Sequence, residues 1–165
     1  MSIGLWVRGA RPKTLVTSIA SVMVGAVMAY VHIERSGTCI AIYPEPASCA
    51  TAREQQTLLM DRFWPVTILC LLVALFLQIA VNYANDYSDG IRGTDAGRDM
   101  DESKSGKPQR LTASGLVPAK HVLFAAMICA AIACICGVVA VVLAQAWWLL
   151  AVGVASLLAG WFYTG

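Results

Sequence analysis

The sequence predicts an all-α protein, a polytopic transmembrane helix bundle, and three observations carry that expectation. Hydrophobic residues make up 58% of the 165-residue chain, and mean hydropathy is +0.67, above what a soluble domain ordinarily reaches. Val122 to Ala144 holds no charged residue and would extend roughly 34 Å as a helix, enough to cross a bilayer core. Trp64 to Val81 is a second apolar run, and it ends in a dense set of oxygen-bearing side chains. Net charge is only +2, so the balance of charge points to no nucleic-acid partner.

About four spans follow in order. Met1–Lys13 is short and basic, with Arg8, Arg11 and Lys13, and Pro12 sits where a helix start tolerates its missing N–H. The first span covers about 14–31, where the Gly25/Ala26/Ala29 spacing suits helix–helix packing. It resembles a signal peptide in broad pattern but has no clear cleavage site, so it is read as retained. Residues 32–62 form a polar loop with room for a short interfacial helix near 51–61. The second span covers about 63–86. A charged loop at about 87–121 leads to spans at about 122–144 and 147–163, joined at Gln145-Ala146 as an antiparallel hairpin. Trp147 and Trp148 at one end, with Trp161 and Tyr163 at the other, match interfacial anchors. The chain stops directly after the last span, which reads as a truncation of one transmembrane domain covering 1–165.

Lys/Arg counting sets the expected topology. The N-terminal segment has three cations and the 87–121 loop six, against three in the 32–62 loop. The N-terminus and the 87–121 loop are therefore expected in the cytoplasm of a multi-pass protein of the cell membrane. Cys70, Cys129, Cys134 and Cys136 fall inside apolar helices and read as small packing residues. Cys39 and Cys49 lie together in the 32–62 loop and would be placed to bridge if it lies outside the cytoplasm; their pairing stays open.

The polar end of the second span carries the chemistry. Gln78, Asn82, Asn85, Asp86 and Asp89 recur at steps of three and four, one helical face. Such a stripe does not face lipid; it lines a cavity or a protein interface. Gly90 and Gly93 are expected to end the helix and release a loop carrying Asp95. Two carboxylates about 6 Å apart repel by roughly 3 kcal/mol at an effective dielectric near 20, so the cluster calls for cations. Hard oxygen donors suit Mg²⁺ or Ca²⁺ rather than zinc, and Mg²⁺ often takes its remaining ligands from a phosphate. The competing reading is a helix end capped in headgroup water. Downstream, Lys107 and Arg110 with Ser114-Gly115 offer cations and donors for a diphosphate. Taken by themselves they read equally as a topology anchor.

The string Asn85-Asp86-Tyr87-Ser88-Asp89-Gly90-Ile91-Arg92-Gly93-Thr94-Asp95 resembles the first Asp-rich motif of the UbiA-type intramembrane prenyltransferases. Ala10-Arg11-Pro12-Lys13-Thr14-Leu15 is similar to their N-terminal signature, and Arg110-Leu111-Thr112-Ala113-Ser114-Gly115 to the segment after that motif. The branch most resembled is the one acting on 1,4-dihydroxy-2-naphthoate in menaquinone synthesis. The resemblance implies the N-terminal part of a roughly nine-helix fold around a cavity open to lipid. It implies Mg²⁺ at Asn85, Asp86, Asp89 and Asp95, with Asn82 as a direct or supporting ligand. It implies polyprenyl diphosphate as donor, its diphosphate met by Lys107, Arg110, Ser114 and Arg11. It also implies an aromatic acceptor, 1,4-dihydroxy-2-naphthoate, giving demethylmenaquinone with release of diphosphate and carbon dioxide. Asp86, Asp89, Lys107 and Arg110 are the implied catalytic residues, and the rings of Tyr83 or Tyr87 would face the allylic cation. The family carries a second Asp-rich motif, which this chain lacks. Another UbiA-type prenyltransferase with a different acceptor is the alternative within the family, and a four-span cation transporter and a non-catalytic membrane scaffold are the readings from other classes.

Overall fold

The computed structural model describes residues 3–37, 46–92, 111, 112, 115 and 117–164, and all its regular structure is helical. In chain order the helices are α1 (Ile3–Gly9), α2 (Pro12–Ser36), α3 (Pro46–Arg92), α4 (Ala119–Ala144) and α5 (Leu149–Thr164). Helices α2, α3 and α4 are long and apolar enough to cross a membrane. At 16 residues, α5 would extend about 24 Å, short of a full hydrocarbon core.

The central element is α3. Its 47 residues would extend about 70 Å, more than twice a bilayer core. The expected interfacial helix at 51–61 and the expected span at 63–86 are one continuous helix that runs through Pro65. It also passes Gly90 to end at Arg92, so Gly90 is not the breaker the sequence led us to expect; glycine weakens a helix without forcing its end. Gly93 lies outside the described residues.

Helices α2 and α4 both run antiparallel to α3, as their hydrogen bonds at its two ends require. At the first end, Gln56 Nε2 donates to the carbonyl of Glu34 in the last turn of α2 at 3.1 Å. There too Arg62 Nη1 donates to the carbonyl of Leu143 in the last turn of α4 at 3.3 Å. Both supply donors to carbonyls that a helix C-terminus leaves without intrahelical partners. At the second end, side chains of α3 meet the start of α2 and the approach to α4. Along α4 the buried alanines 126, 133 and 140 recur every seven residues, the period of left-handed packing, and small side chains there let the two backbones approach. The Gly25 position on α2 meets nothing within 4 Å, so that small-residue spacing is not used against the described residues.

The tightly packed core sits at the second end. Ala10, Tyr83, Leu111, Val117, Val122 and Ala126 are buried together, with Leu5, Trp6, Ile79 and Tyr87 against them. The short helix α1, where the sequence reading placed only a basic segment, joins this cluster. The rings of Trp6 and Tyr83 meet edge to face at 5.6 Å, and Tyr83 Oη donates to the Trp6 carbonyl at 3.0 Å. Helix α4 ends where Gln145 turns left-handed (φ 55, ψ 28), and the N–H of Ala146 returns to the Val141 carbonyl at 3.2 Å, closing the turn before α5. Trp147 and Trp148 beside it are exposed, as interfacial anchors would be; the side chains of Trp161 and Tyr163 lie outside the described set.

Gly9 is where α1 makes its closest approach. A Cβ there would stand 2.5 Å from Leu111 Cδ1 and 3.3 Å from Tyr83 Cε1. Gly9→Val is expected to cost about 1–3 kcal/mol, as overpacking of a filled core does. Thermal unfolding in detergent measures the loss, and adding Leu111→Ala should recover part of it.

Candidate active site

The second end of α3 gathers the polar residues that its sequence placed on one face. Asn82 is 3% and Asp86 2% exposed, while Asn85 and Asp89 are half-buried. A group buried this far from water needs partners from the protein, and each of the two finds them in a different segment.

Asn82 bonds to the start of α2. Its Nδ2 donates to the Ala10 carbonyl at 2.8 Å and to Thr14 Oγ1 at 3.0 Å. Its Oδ1 accepts from Gln78 Nε2 at 3.4 Å, and Gln78 Oε1 accepts from Ser18 Oγ at 3.0 Å. Thr14 Oγ1 in turn donates to the Arg11 carbonyl at 2.9 Å. A continuous chain of hydrogen bonds thus joins α2 to α3 within the apolar region, where the alternative to a partner is bare hydrocarbon. It surrounds a strained residue: Arg11 is left-handed (φ 52, ψ 71), which costs a non-glycine residue on the order of 1–2 kcal/mol.

Asp86 bonds to the segment before α4. Its Oδ2 accepts the backbone N–H of Leu111 at 2.8 Å. Leu111 is fully buried and begins a compact turn: the N–H of Gly115 bonds to the Thr112 carbonyl at 3.1 Å and that of Val117 to the Leu111 carbonyl at 3.3 Å. Gly115 is left-handed at φ 69, a conformation that glycine adopts without Cβ strain. The hydroxyl of Thr112 is buried with no hydrogen-bond partner among the described residues. A carboxylate therefore accepts the N–H of the residue next in sequence to Arg110.

Of the residues singled out from the sequence, the structure brings Asn82, Asn85, Asp86 and Asp89 onto the end of α3 and Arg11 to the adjoining turn. Asp95, Lys107, Arg110 and Ser114 lie outside the described residues, as do Asp99, Asp101 and Glu102. No group of three or more His, Cys, Asp or Glu residues comes together as a metal site among the described residues. The donors that are present, two carboxylates and the Asn85 amide on one helix face, still fit Mg²⁺, which is usually held by one or two carboxylates with waters and phosphate. Tyr83 is enclosed, with its ring against Trp6 and its hydroxyl on the Trp6 carbonyl. Thr14, Ser18, Trp6 and the Leu111 N–H were not legible as site residues. A hydroxyl every four residues on α2, opposite an amide pair on α3, was the only signal available for the first two.

Cys49 is disulfide-bonded, while Cys70, Cys129, Cys134 and Cys136 are free. Cys39, whose pairing with Cys49 the sequence left open, lies outside the described residues. Cys49 lies near the start of α3, at the other end of that helix from Asp86.

A helical membrane protein with a buried carboxylate and amide at the end of its central span, tied to the segments on either side, is the class defined by fold and site. The UbiA prenyltransferase family matches residues 57–165, and the chain belongs to that family. It is 38% identical over 164 residues to a 1,4-dihydroxy-2-naphthoate octaprenyltransferase of Mycobacterium tuberculosis, covering 99% of this chain and 44% of that protein. A protein of the same name from Mycobacterium leprae is 35% identical over 164 residues, covering 99% of this chain and 44% of its own length. One from Haemophilus influenzae is 30% identical over 117 residues, covering 71% of this chain and 28% of its own. The chain thus spans less than half the length of these curated relatives. No solved structure matches.

The Asp86–Leu111 bond needs an acceptor, not a charge. Asp86→Asn should keep the melting temperature near that of the parent, because the amide oxygen still accepts the Leu111 N–H. Asp86→Leu leaves that buried N–H without its acceptor and should cost about 1–3 kcal/mol in the same thermal unfolding experiment.

Proposed function

We propose that this chain forms part of a Mg²⁺-dependent membrane prenyltransferase that moves a polyprenyl group from its diphosphate to an aromatic acceptor, 1,4-dihydroxy-2-naphthoate. The observation that carries this reading is the 2.8 Å bond from the Leu111 N–H to Asp86 Oδ2. It holds the backbone of Leu111, the residue next in sequence to Arg110, against the carboxylate face of α3, which supports a reading in which the two motifs act together. The names of the relatives supply the acceptor.

In this reading Asn85, Asp86, Asp89 and Asp95 would hold Mg²⁺, which would supply positive charge against the developing charge of the diphosphate. Lys107 and Arg110 neutralise the same oxygens, with Arg11 and the Ser114 hydroxyl as further donors. Charge grows on those oxygens as the allylic C–O bond breaks, so cations fixed there stabilise the transition state more than the substrate. The allylic carbon then bonds to the naphthoate ring. The ring proton departs, the carboxyl leaves as carbon dioxide with a proton taking its place, and diphosphate is released. An apolar surround keeps water from the allylic cation.

The acid end is assigned to the cytoplasm and the Cys49 end to the outside of the cell membrane. Support comes from the Lys/Arg distribution and from the disulfide at Cys49, since such bonds persist in oxidising compartments.

In a chain of the relatives' full length bearing this sequence, Asp89→Ala is expected to lower prenyl transfer about 100-fold or more. Removing divalent ions should abolish transfer and Mg²⁺ should restore it. Near-parental turnover by Asp89→Ala, or cation flux through liposomes without dependence on polyprenyl diphosphate, would overturn the assignment. The topology has its own check: a membrane-impermeant maleimide applied to intact cells should label Cys49 only after reduction.

A further inference from the structure

Asn82 belongs to the polar stripe, yet its side chain is directed at the start of α2. Its Nδ2 donates twice to the turn around Arg11, at 2.8 Å to the Ala10 carbonyl and 3.0 Å to Thr14 Oγ1. Thr14 Oγ1 in turn donates a hydrogen bond to the Arg11 carbonyl at 2.9 Å. Arg11 between them is one of two described non-glycine residues with positive φ, and it precedes a proline, which further narrows its backbone choices. Strain of this kind persists only where the surroundings over-determine it. Here the surroundings are Asn82 and Thr14.

One helical turn separates Asn82 from Asp86 on the same face of α3. A turn pinned to Asn82 therefore roots the long Arg11 side chain beside the carboxylates. We propose that Asn82 and Thr14 form a clasp that holds the left-handed Arg11 turn and so sets the Arg11 cation at the edge of the Asp86–Asp89 face. Asn82 is on this account a positioning residue that acts through Arg11. The inference rests on the prenyltransferase reading for its functional half and on the geometry alone for its structural half.

The chemistry separates a clasp from a metal ligand. The clasp needs the two N–H donors of an amide, because one of its partners is a carbonyl oxygen. A ligand needs only oxygen. Asn82→Asp keeps oxygen at the position and removes both donors, leaving a carboxylate against the Ala10 carbonyl. A metal ligand would survive that change; a clasp would not.

Thermal unfolding of the chain in detergent tests the structural half. Asn82→Asp and Thr14→Val should each lower the melting temperature by several degrees. The double variant should melt no lower than Asn82→Asp, since both break one unit, and Thr14→Ser should restore the parental value. Additive losses, or an unchanged Asn82→Asp, would overturn the clasp. Kinetics in a chain of the relatives' full length test the functional half. Asn82→Asp and Thr14→Val should each raise KM for polyprenyl diphosphate about tenfold with kcat little changed, while the Mg²⁺ concentration for half-activation stays at the parental value. A shift in that Mg²⁺ requirement with KM unmoved would overturn the positioning role and return Asn82 to the ligands. If the parent transfers no prenyl group, the functional reading fails while the melting cycle still decides the clasp.

Discussion

Asp86 is a carboxylate 2% exposed at the end of an apolar helix, and the N–H it accepts from Leu111 governs the arrangement around it. A charge or amide at this depth has no water to fall back on, so the protein must provide the partner. Leu111 gives its N–H to Asp86 and packs its side chain close to Gly9, in one buried cluster with Tyr83. That one residue therefore connects the approach to α4, the end of α3 and the helix α1. Asn82 meets the same demand in another direction, through Ala10 and Thr14. Polar groups that would be costly in lipid become the joints of the bundle.

The two ends of α3 are built differently. At the Asp86 end, side-chain amides and a carboxylate bond to backbone groups of irregular segments, and a compact apolar cluster forms around Tyr83 and Leu111. At the Cys49 end, Gln56 and Arg62 reach across to the terminal carbonyls of α2 and α4, and a disulfide lies close by. Next along α3, the ring of Phe63 meets Tyr30 of α2 at 5.5 Å and its neighbour Trp64 at 5.2 Å. Capping of this sort fixes where neighbouring helices stop. The Asp86 end instead fixes which backbone segments converge on Asn82 and Asp86.

Between those ends the packing is sparse and regular. Alanines every seven residues along α4 let it lie close to α3, and Gly137 comes within reach of Val73. Much of the remaining apolar surface, including Val24, Val27, Met28, Phe124 and Ile135, is exposed. In a bilayer such surface can contact acyl chains at no cost.

The sequence by itself determined the class, the apolar helices and the face that carries Asn82, Asn85, Asp86 and Asp89, because hydrophobic runs and the helical period are local properties of the chain. It also placed the Asp and Lys/Arg motifs in order, from which the family was legible. It did not reveal that α3 continues unbroken from Pro46 through Pro65 and Gly90, since neither residue stops a helix whose neighbours hold it on both sides. Nor did it reveal α1, seven residues long, whose stability comes from Tyr83 and Leu111 rather than from its own propensity. Only the tertiary structure decided which partner each polar side chain takes. Asn82 and Asp86 are one turn apart and similar in chemistry, yet one bonds to Ala10 and Thr14 and the other to Leu111, 72 and 25 residues away along the chain in the case of Ala10 and Leu111. Hydrogen bonds over such separations depend on how helices pack, and no local pattern encodes that.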